Sequence, residues 1–321
     1  MNLKRIIAMT FCCNIATLGL LYPVHLMAQD ENTAGRGKGN SANIDFAREY
    51  YKQGMSYAQY GLYDEALEMY KKSLEINPNN IEAYKNLGIA YYQKGMHDNA
   101  IESFKKVLEH RPKDADASYN LGSAYFDKGD FDKAIAYFQK TIEISPDHRS
   151  AHSMLGIAYS KIGKYDDAIK VLKKRVELDP NLLITYLNLG IVYSLKGMDK
   201  EALAEYTRVL EIDPGNENAL YNIASLCDRA GNTEEAFKYY NRTIEINSTN
   251  SDAQYRLGKI YMQKKKYDDA INAFQIAVMS NPSNIEIYND IGNVYKAKGM
   301  KIDADNYFTL YKKQSKAAKS K

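Results

Sequence analysis

The chain has 321 residues and a nearly balanced charge, with 43 lysines and arginines against 40 aspartates and glutamates. Because nucleic-acid binding needs a basic stripe with interleaved aromatic side chains, this balance argues against a nucleic-acid partner. Two of the three cysteines, Cys12 and Cys13, lie close to the N-terminus, which leaves Cys227 without an intrachain disulfide partner once that segment is removed. We therefore expect packing alone to stabilise the fold.

Residues 1–28 have the pattern of a secretory signal peptide. Lys4 and Arg5 precede an apolar run over 6–21, and the small residue Ala28 stands before a polar segment. The apolar run is shorter than the roughly 20 residues that a transmembrane helix needs. We expect cleavage near Ala28 and export to the periplasm or the cell exterior. The alternative is an uncleaved segment that anchors the chain in a membrane.

Residues 29–43 are polar and rich in glycine, which is typical of a flexible linker. The linker contains the sequence GRGKG, but it lacks the spacing of a phosphate-binding loop. Asn43 is the predicted N-cap of the first helix.

From residue 47 onward the sequence repeats every 34 residues without a gap. Numbering the places of each unit from 1 to 34, place 20 is alanine in all eight units, and place 8 is glycine in seven of them and alanine in the other. Place 15 is glycine in seven units and place 32 is proline in six. The agreement of independent places indicates a true repeat. The units start at Ala47, Ile81, Ala115, Arg149, Leu183, Glu217, Ser251 and Ile285.

These places resemble the tetratricopeptide-repeat (TPR) pattern. The resemblance implies an all-α solenoid over 44–315, in which antiparallel pairs of helices, here called A and B, stack into a right-handed superhelix followed by a basic tail at 316–321. Small residues at places 8 and 20 would let the two backbones approach, and aromatic residues at places 11 and 24 would fill the space between neighbouring units. Glycine at place 15 would end helix A in a left-handed conformation. The aspartates at place 18 are expected to cap helix B: Asp64, Asp98, Asp132 and Asp166.

The resemblance also implies a concave face lined by helix A places 2, 5, 6, 9, 12 and 13. Place 6 carries asparagine in four units, and an amide can both donate and accept hydrogen bonds to a peptide backbone. Met154 interrupts this row. The asparagines therefore predict a groove for an extended partner segment, or they are simply the usual residue at that place. They are Asn86, Asn120, Asn188 and Asn222.

Unit five carries a second apolar stripe on helix A, at Ile184, Leu187, Ile191 and Leu195. Together with Met154 and Ile157 of unit four, this stripe is expected to form an exposed apolar patch on the concave wall, and such patches usually mark a contact surface. The hypothesis is an anchor for a partner segment, and the alternative is self-association. The flanking residues are Tyr119, Asn120, Tyr221 and Asn222.

Cys227 occupies place 11, so it is predicted to be a buried structural cysteine, with a reactive thiol or an intermolecular bridge as alternatives. His148 and His152 are four residues apart, but no Glu or Cys completes a ligand set and no metal is expected. No nucleophile and base are grouped as in hydrolases, so neither catalysis nor a cofactor is expected. The junction of units six and seven is predicted to open first, because Ser248 replaces proline and Lys265 replaces glycine there.

The C-terminal end is basic. The preferred interpretation is a solvating cap on the last unit, and the alternative is contact with anionic lipid, glycan polymer or nucleic acid. The sequence thus predicts an exported, non-catalytic scaffold for a protein or peptide partner of unspecified identity. An envelope- or glycan-binding adaptor that uses the basic end, or a self-assembling structural protein, are the alternatives. The lysines are Lys296, Lys298, Lys301, Lys312, Lys313, Lys316, Lys319 and Lys321.

Overall fold

The computed structural model describes residues 40–319, and in this range it contains sixteen α-helices and no β-strand. The A helices are α1 (Asn40–Gln59), α3 (Ile81–Gln93), α5 (Ala115–Asp127), α7 (Arg149–Lys161), α9 (Leu183–Lys196), α11 (Glu217–Arg229), α13 (Ser251–Gln263) and α15 (Glu286–Ala297). The B helices are α2 (Tyr63–Ile76), α4 (His97–His110), α6 (Phe131–Ile144), α8 (Tyr165–Leu178), α10 (Asp199–Ile212), α12 (Thr233–Ile246), α14 (Tyr267–Ser280) and α16 (Lys301–Lys319). The predicted all-α repeat architecture is confirmed.

The ends of the helical region differ from the predicted boundaries. Helix α1 begins at Asn40, so Asn43 lies inside the helix and the predicted N-cap there is wrong. Helix α16 continues to Lys319 and therefore includes most of the predicted tail. The predicted signal peptide and most of the predicted linker lie outside the described residues.

Contacts divide the chain into two bodies, of which the first ends at Asn188 and the second starts at Leu189, inside α9. In the first body, each of the helices α1 to α7 packs against the next helix in sequence, and the A helices α1, α3, α5 and α7 also contact one another in that order. In the second body, each of the helices α10 to α15 packs against the next. The core of each body thus forms between consecutive helices rather than around one centre.

The two helices of a repeat meet where the side chain at place 24 lies on the backbone at place 8. A Cβ atom added to Gly88 would lie 2.7 Å from Cε1 of Phe104, and one added to Gly190 would lie 2.4 Å from Cε1 of Tyr206. Both rings are fully buried. The residue at place 24 therefore packs on helix A of its own repeat, and Phe274 also belongs to a core cluster with Ile287 and Ile291 of the next repeat, as predicted.

Helix A ends at place 15 in a left-handed residue, as predicted. Among the described residues, seven glycines at this place have φ angles between 71° and 83°. The exception to glycine is Lys265, which adopts φ 57° at the end of α13. Because a side chain crowds the following carbonyl in this conformation, Lys265 carries a local strain that the seven glycines avoid.

We predict that Lys265→Gly raises the free energy of unfolding of the second body by up to about 1 kcal/mol, since the strain at this position disappears. The midpoint of a chemical denaturation curve measures the change. Lys266→Gly, at the N-cap of α14, is the matched control and is expected to give no such gain. A midpoint that stays the same or falls for Lys265→Gly would contradict the prediction.

The predicted capping role of the place-18 aspartates is wrong. Asp64 is the second residue of α2, and the N-cap Leu62 offers no side-chain hydrogen bond. Instead, the carboxylate of Asp64 forms an ion pair with Lys94 at place 14 of the next repeat. The same pairing joins Asp98 to Lys128. In the second body it joins Glu234 to Lys264 and Asp268 to Lys298.

These ion pairs form a partial ladder along the outer side of each body, between a B helix and the next A helix. The ion pair is absent at two junctions. Asp132 faces a repeat with Ile162 at place 14, and Lys200 precedes a repeat with Ala230 at place 14. Near the second of these, Arg229 pairs with Asp199 at 2.6 Å, one place earlier on both helices. Exposed pairs of this kind contribute at most about 1 kcal/mol each, so they set the register of neighbouring repeats more than they stabilise them.

Place 11 on helix A covers place 21 of the preceding repeat. Tyr261 packs edge-on against Phe237, with ring centroids 5.5 Å apart, and Tyr295 packs against the cluster that contains Ile271. The small side chain of Cys227 at place 11 does not cover place 21 of the preceding repeat in this way. Leu203 at that place is 42% exposed, whereas Ile271, which is covered, is 8% exposed. Cys227 is itself half-exposed rather than buried, which corrects its predicted burial.

We predict that Cys227→Tyr stabilises the second body by roughly 1 kcal/mol, because the new ring would cover the exposed part of Leu203. Thermal or chemical denaturation measures the gain. Cys227→Ala removes the thiol without adding a ring and is expected to give no increase. If both substitutions shift the midpoint alike, the proposed cover of Leu203 is wrong.

The last repeat carries polar residues where earlier repeats carry the apolar side chains that meet a following repeat. Asp305 stands at place 21 and Lys312 at place 28, and both are exposed. The basic end of α16 thus presents a charged face to solvent.

Candidate partner-binding surface

In the first body, the inner faces of the A helices lie side by side, because α3 contacts α5 and α5 contacts α7. Place 5 of one repeat reaches place 2 of the next, as the 3.0 Å ion pair between Lys85 and Asp116 shows. Lys85 also lies 3.4 Å from Asp114, the N-cap of α5. Burial alone would lower the pKa of the Lys85 ammonium, but its bonds to Asp116 and Asp114 outweigh burial and raise that pKa.

The predicted row of asparagines is not uniform. Asn86 is half-buried and its Nδ2 donates to the hydroxyl oxygen of Tyr51 at 2.9 Å. Asn120 is also half-buried. Asn188 and Asn222 are buried, and Asn222 Nδ2 has no hydrogen-bond partner. Of the four amides, those of Asn86 and Asn120 are therefore the ones that remain accessible.

The side chain of Tyr119 lies in the middle of this wall. Its ring packs on Phe138 at a centroid distance of 5.7 Å and on His148 at 4.9 Å. One turn beyond Tyr119, Ser123 bonds back to the Tyr119 carbonyl oxygen. Tyr119 is thereby held from two sides while it stays half-exposed.

The expected exposed apolar patch is not present as predicted. Ile157 and Leu187 are each 5% exposed and Ile191 is 4% exposed, whereas Met154, Ile184 and Leu195 are half-buried. Helix α9, apolar nearly all round, follows the rule that such a helix is buried. Its second apolar stripe is thus mostly a packing feature.

In repeats seven and eight, Arg256 and Asp290 replace asparagine at place 6, and their partners were not predicted from the sequence. Arg256 lies 3.3 Å from Asp228 on the preceding A helix. Tyr255 donates its hydroxyl to Asp290 at 2.9 Å, and Lys259 pairs with the other oxygen of Asp290, also at 2.9 Å. The signal was the change from Asn to Arg and Asp at one place in successive repeats. These groups satisfy one another and leave the buried ring of Tyr221 beneath them.

The two histidines lie at the start of α7. His148 is the N-cap, and its Nδ1 accepts the N–H of Ala151 at 3.1 Å. The ring of His152 is buried, and its Nε2 lies 2.8 Å from the carbonyl oxygen of Pro146. Both side chains thus have local roles in the helix start. Within residues 40–319 no cluster of three or more His, Cys, Asp or Glu side chains is placed to hold a metal ion.

Family models for the tetratricopeptide repeat match residues 45–113, 86–149 and 125–187, and a model for the TPR repeat matches 258–299. Residues 196–277 match the model for anaphase-promoting complex, cyclosome, subunit 3. The crystal structure of MamA protein is 32% identical in sequence, with 53% of this chain and 93% of that chain covered and a TM-score of 0.51. The chain belongs to the TPR family. No curated protein sequence matches it.

Two further solved TPR structures are similar. MamA from Desulfovibrio magneticus RS-1 is 27% identical over 54% of this chain and 97% of that chain, with a TM-score of 0.52. A tetratricopeptide repeat protein from Parabacteroides merdae is 18% identical over 78% of this chain and 99% of that chain, with a TM-score of 0.64, and it supports the TPR fold alone. In the part of the chain that the structure describes, no helix is long and apolar enough to cross a membrane.

Proposed function

We propose that this TPR protein is an exported, non-catalytic scaffold that holds an extended partner segment on the inner wall of its first body. The observation that carries the proposal is the half-exposed Met154, which replaces asparagine at place 6 directly after the repeats with the accessible amides of Asn86 and Asn120. By analogy with the pairing of Lys85 and Asp116, we infer that Ile184 at place 2 of α9 lies beside place 5 of α7, next to Met154. An apolar side chain of the partner would pack on Met154 and Ile184.

Polar groups beside this apolar spot would hold the partner's backbone. Tyr119 and Asn120 lie one repeat before Met154, and Asn86 lies two repeats before it. A hydroxyl and amides can donate to and accept from a peptide without requiring a particular side chain. The apolar spot would then provide the selectivity. The roles predicted for Ile157, Leu187, Asn188, Ile191, Leu195, Tyr221 and Asn222 stay predictions, and six of these side chains are buried while Leu195 is half-buried.

We predict that Met154→Asp weakens partner binding about ten- to a hundredfold, because a charge replaces an apolar side chain that the partner would cover. A photo-reactive residue at position 154, in cells that express the full chain, identifies the partner by crosslinking. The same residue at the exposed position Lys105 on α4 is the control. Binding of the identified partner to wild type, Met154→Asp and the conservative Met154→Leu then gives the change in affinity.

Equal crosslinking from positions 154 and 105, or unchanged affinity of Met154→Asp, would overturn the proposal. Capture of a second copy of the chain would point to self-assembly. Salt dependence distinguishes binding at the apolar wall from binding at the basic end of α16. Binding to Met154 should survive high salt, whereas binding to exposed lysines should weaken. Detection of the chain without residues 1–28 in an extracytoplasmic fraction tests the proposed export.

A further inference from the structure

The start of α7 is held by two histidines, and the bond made by His148 needs the neutral form of its ring. His148 Nδ1 accepts the N–H of Ala151 at 3.1 Å. A protonated imidazole has no acceptor, and its positive charge is unfavourable at a helix N-terminus. Other A helices with a side-chain cap use groups that keep an acceptor at neutral and mildly acidic pH: Asn80, Asp114, Asn216 and Asn250.

His152 forms a hydrogen bond to a backbone carbonyl. Two other repeats form the same bond with a tyrosine or a glutamine side chain. Its Nε2 donates to the carbonyl oxygen of Pro146 at 2.8 Å, since a carbonyl can only accept. At the same place, Tyr186 donates to the Pro180 carbonyl at 2.8 Å and Gln254 donates to the Ser248 carbonyl at 2.9 Å. His152 Nδ1 is buried without a partner, so a second proton there would have no acceptor.

An aspartate that follows α8 pairs with arginines of both α7 and α8. On the side of α8, Asp179 faces two guanidinium groups, that of buried Arg175 at 3.4 Å and that of Arg149 at 4.0 Å. Nε and Nη1 of Arg175 are buried without a partner. Asp179 thus joins the first residue of α7 to the last turn of α8.

Other titratable groups come from the remaining elements packed against α7. Helix α5 contributes Asp116 and the ring of Tyr119. Glu143 lies in the last turn of α6, and Asp147 directly precedes His148. Burial lowers the pKa of His148, although the negative charge of Asp116 opposes this effect. The net direction agrees with a ring that is held neutral by its surroundings.

We propose that the start of α7 is an acid-sensitive switch, in which protonation of the His148 ring in mildly acidic solution releases the cap and loosens the helix that carries Met154. The direction of the pH effect on stability follows from the linkage between protonation and folding. The folded state favours neutral His148, so its stabilising effect is present above the unfolded-state pKa of about 6.5 and is lost as the pH falls below it. The consequence for partner binding rests on the proposed function, but the change in α7 does not.

The test compares the wild-type chain with a double variant, His148→Asn and His152→Gln, which copies the non-titrating bonds of Asn80 and Gln254. Hydrogen exchange of residues 149–155 is measured at pH 7.5 and pH 5.5 without a partner and corrected for intrinsic exchange rates. We expect protection of the wild-type segment to fall about five- to tenfold on acidification, the size of a lost N-cap, and that of the variant to stay constant. The start of α3, capped by Asn80, is the internal reference.

An equal response of wild type and variant, or no response in either, would overturn the switch. The single variants His148→Asn and His152→Gln keep the test decisive if the double variant does not fold. Crosslinking from position 154 at both pH values then addresses the consequence. If the wild-type chain loses partner crosslinking at pH 5.5 and the double variant keeps it, the switch controls partner binding at Met154. Acid-dependent exchange without any specific capture from 154 would overturn the proposed function and leave the switch standing.

Discussion

The contact between the side chain at place 24 and the bare backbone at place 8 is the constraint on which each repeat depends. At Gly156 an added Cβ would lie 2.6 Å from Cγ of Leu172, and at Gly258 it would lie 2.6 Å from the ring of Phe274. A helix can approach this closely only where no side chain intervenes. The same contact recurs in the seven repeats that have glycine at place 8, and a recurring contact between helices A and B favours regular stacking.

Contacts between repeats vary far more than contacts within them. The ion pair from place 18 to place 14 joins Asp64 to Lys94 but has no counterpart at Ile162. Likewise, the tyrosine that covers place 21 of the preceding repeat is replaced by Cys227, which leaves Leu203 exposed. In a solenoid, stability is roughly a sum of repeat and nearest-neighbour terms, so such local losses stay local. Individual junctions can therefore weaken without loss of the fold.

The sequence was most informative where a residue type follows from backbone geometry. Glycine at place 15 predicted a left-handed residue, and even the exception, Lys265, adopts that conformation. Prediction failed where a role depends on distant neighbours. Asp64 looked like a cap, but α2 starts one residue earlier and the carboxylate reaches the next repeat. The repeat pattern assigns Leu187 to the inner wall, and for that reason it was predicted to be accessible. Leu187 is buried, because its exposure depends on the packing around α9, which the pattern does not specify.

Several departures from the repeat pattern lie in repeat four or directly before it. Met154 interrupts the asparagines of place 6, His148 replaces an asparagine or aspartate cap, and buried Arg175 occupies place 27, where other repeats carry small, apolar or aromatic residues. Each substitution keeps the fold, because the cap needs only an acceptor and Arg175 still meets Asp179. Departures elsewhere, such as Cys227 and Lys265, alter packing or the backbone, whereas Met154 and His148 alter an accessible side chain and a helix cap. The binding and the acid response proposed for this repeat therefore follow from the type of residue that is changed rather than from the number of changes.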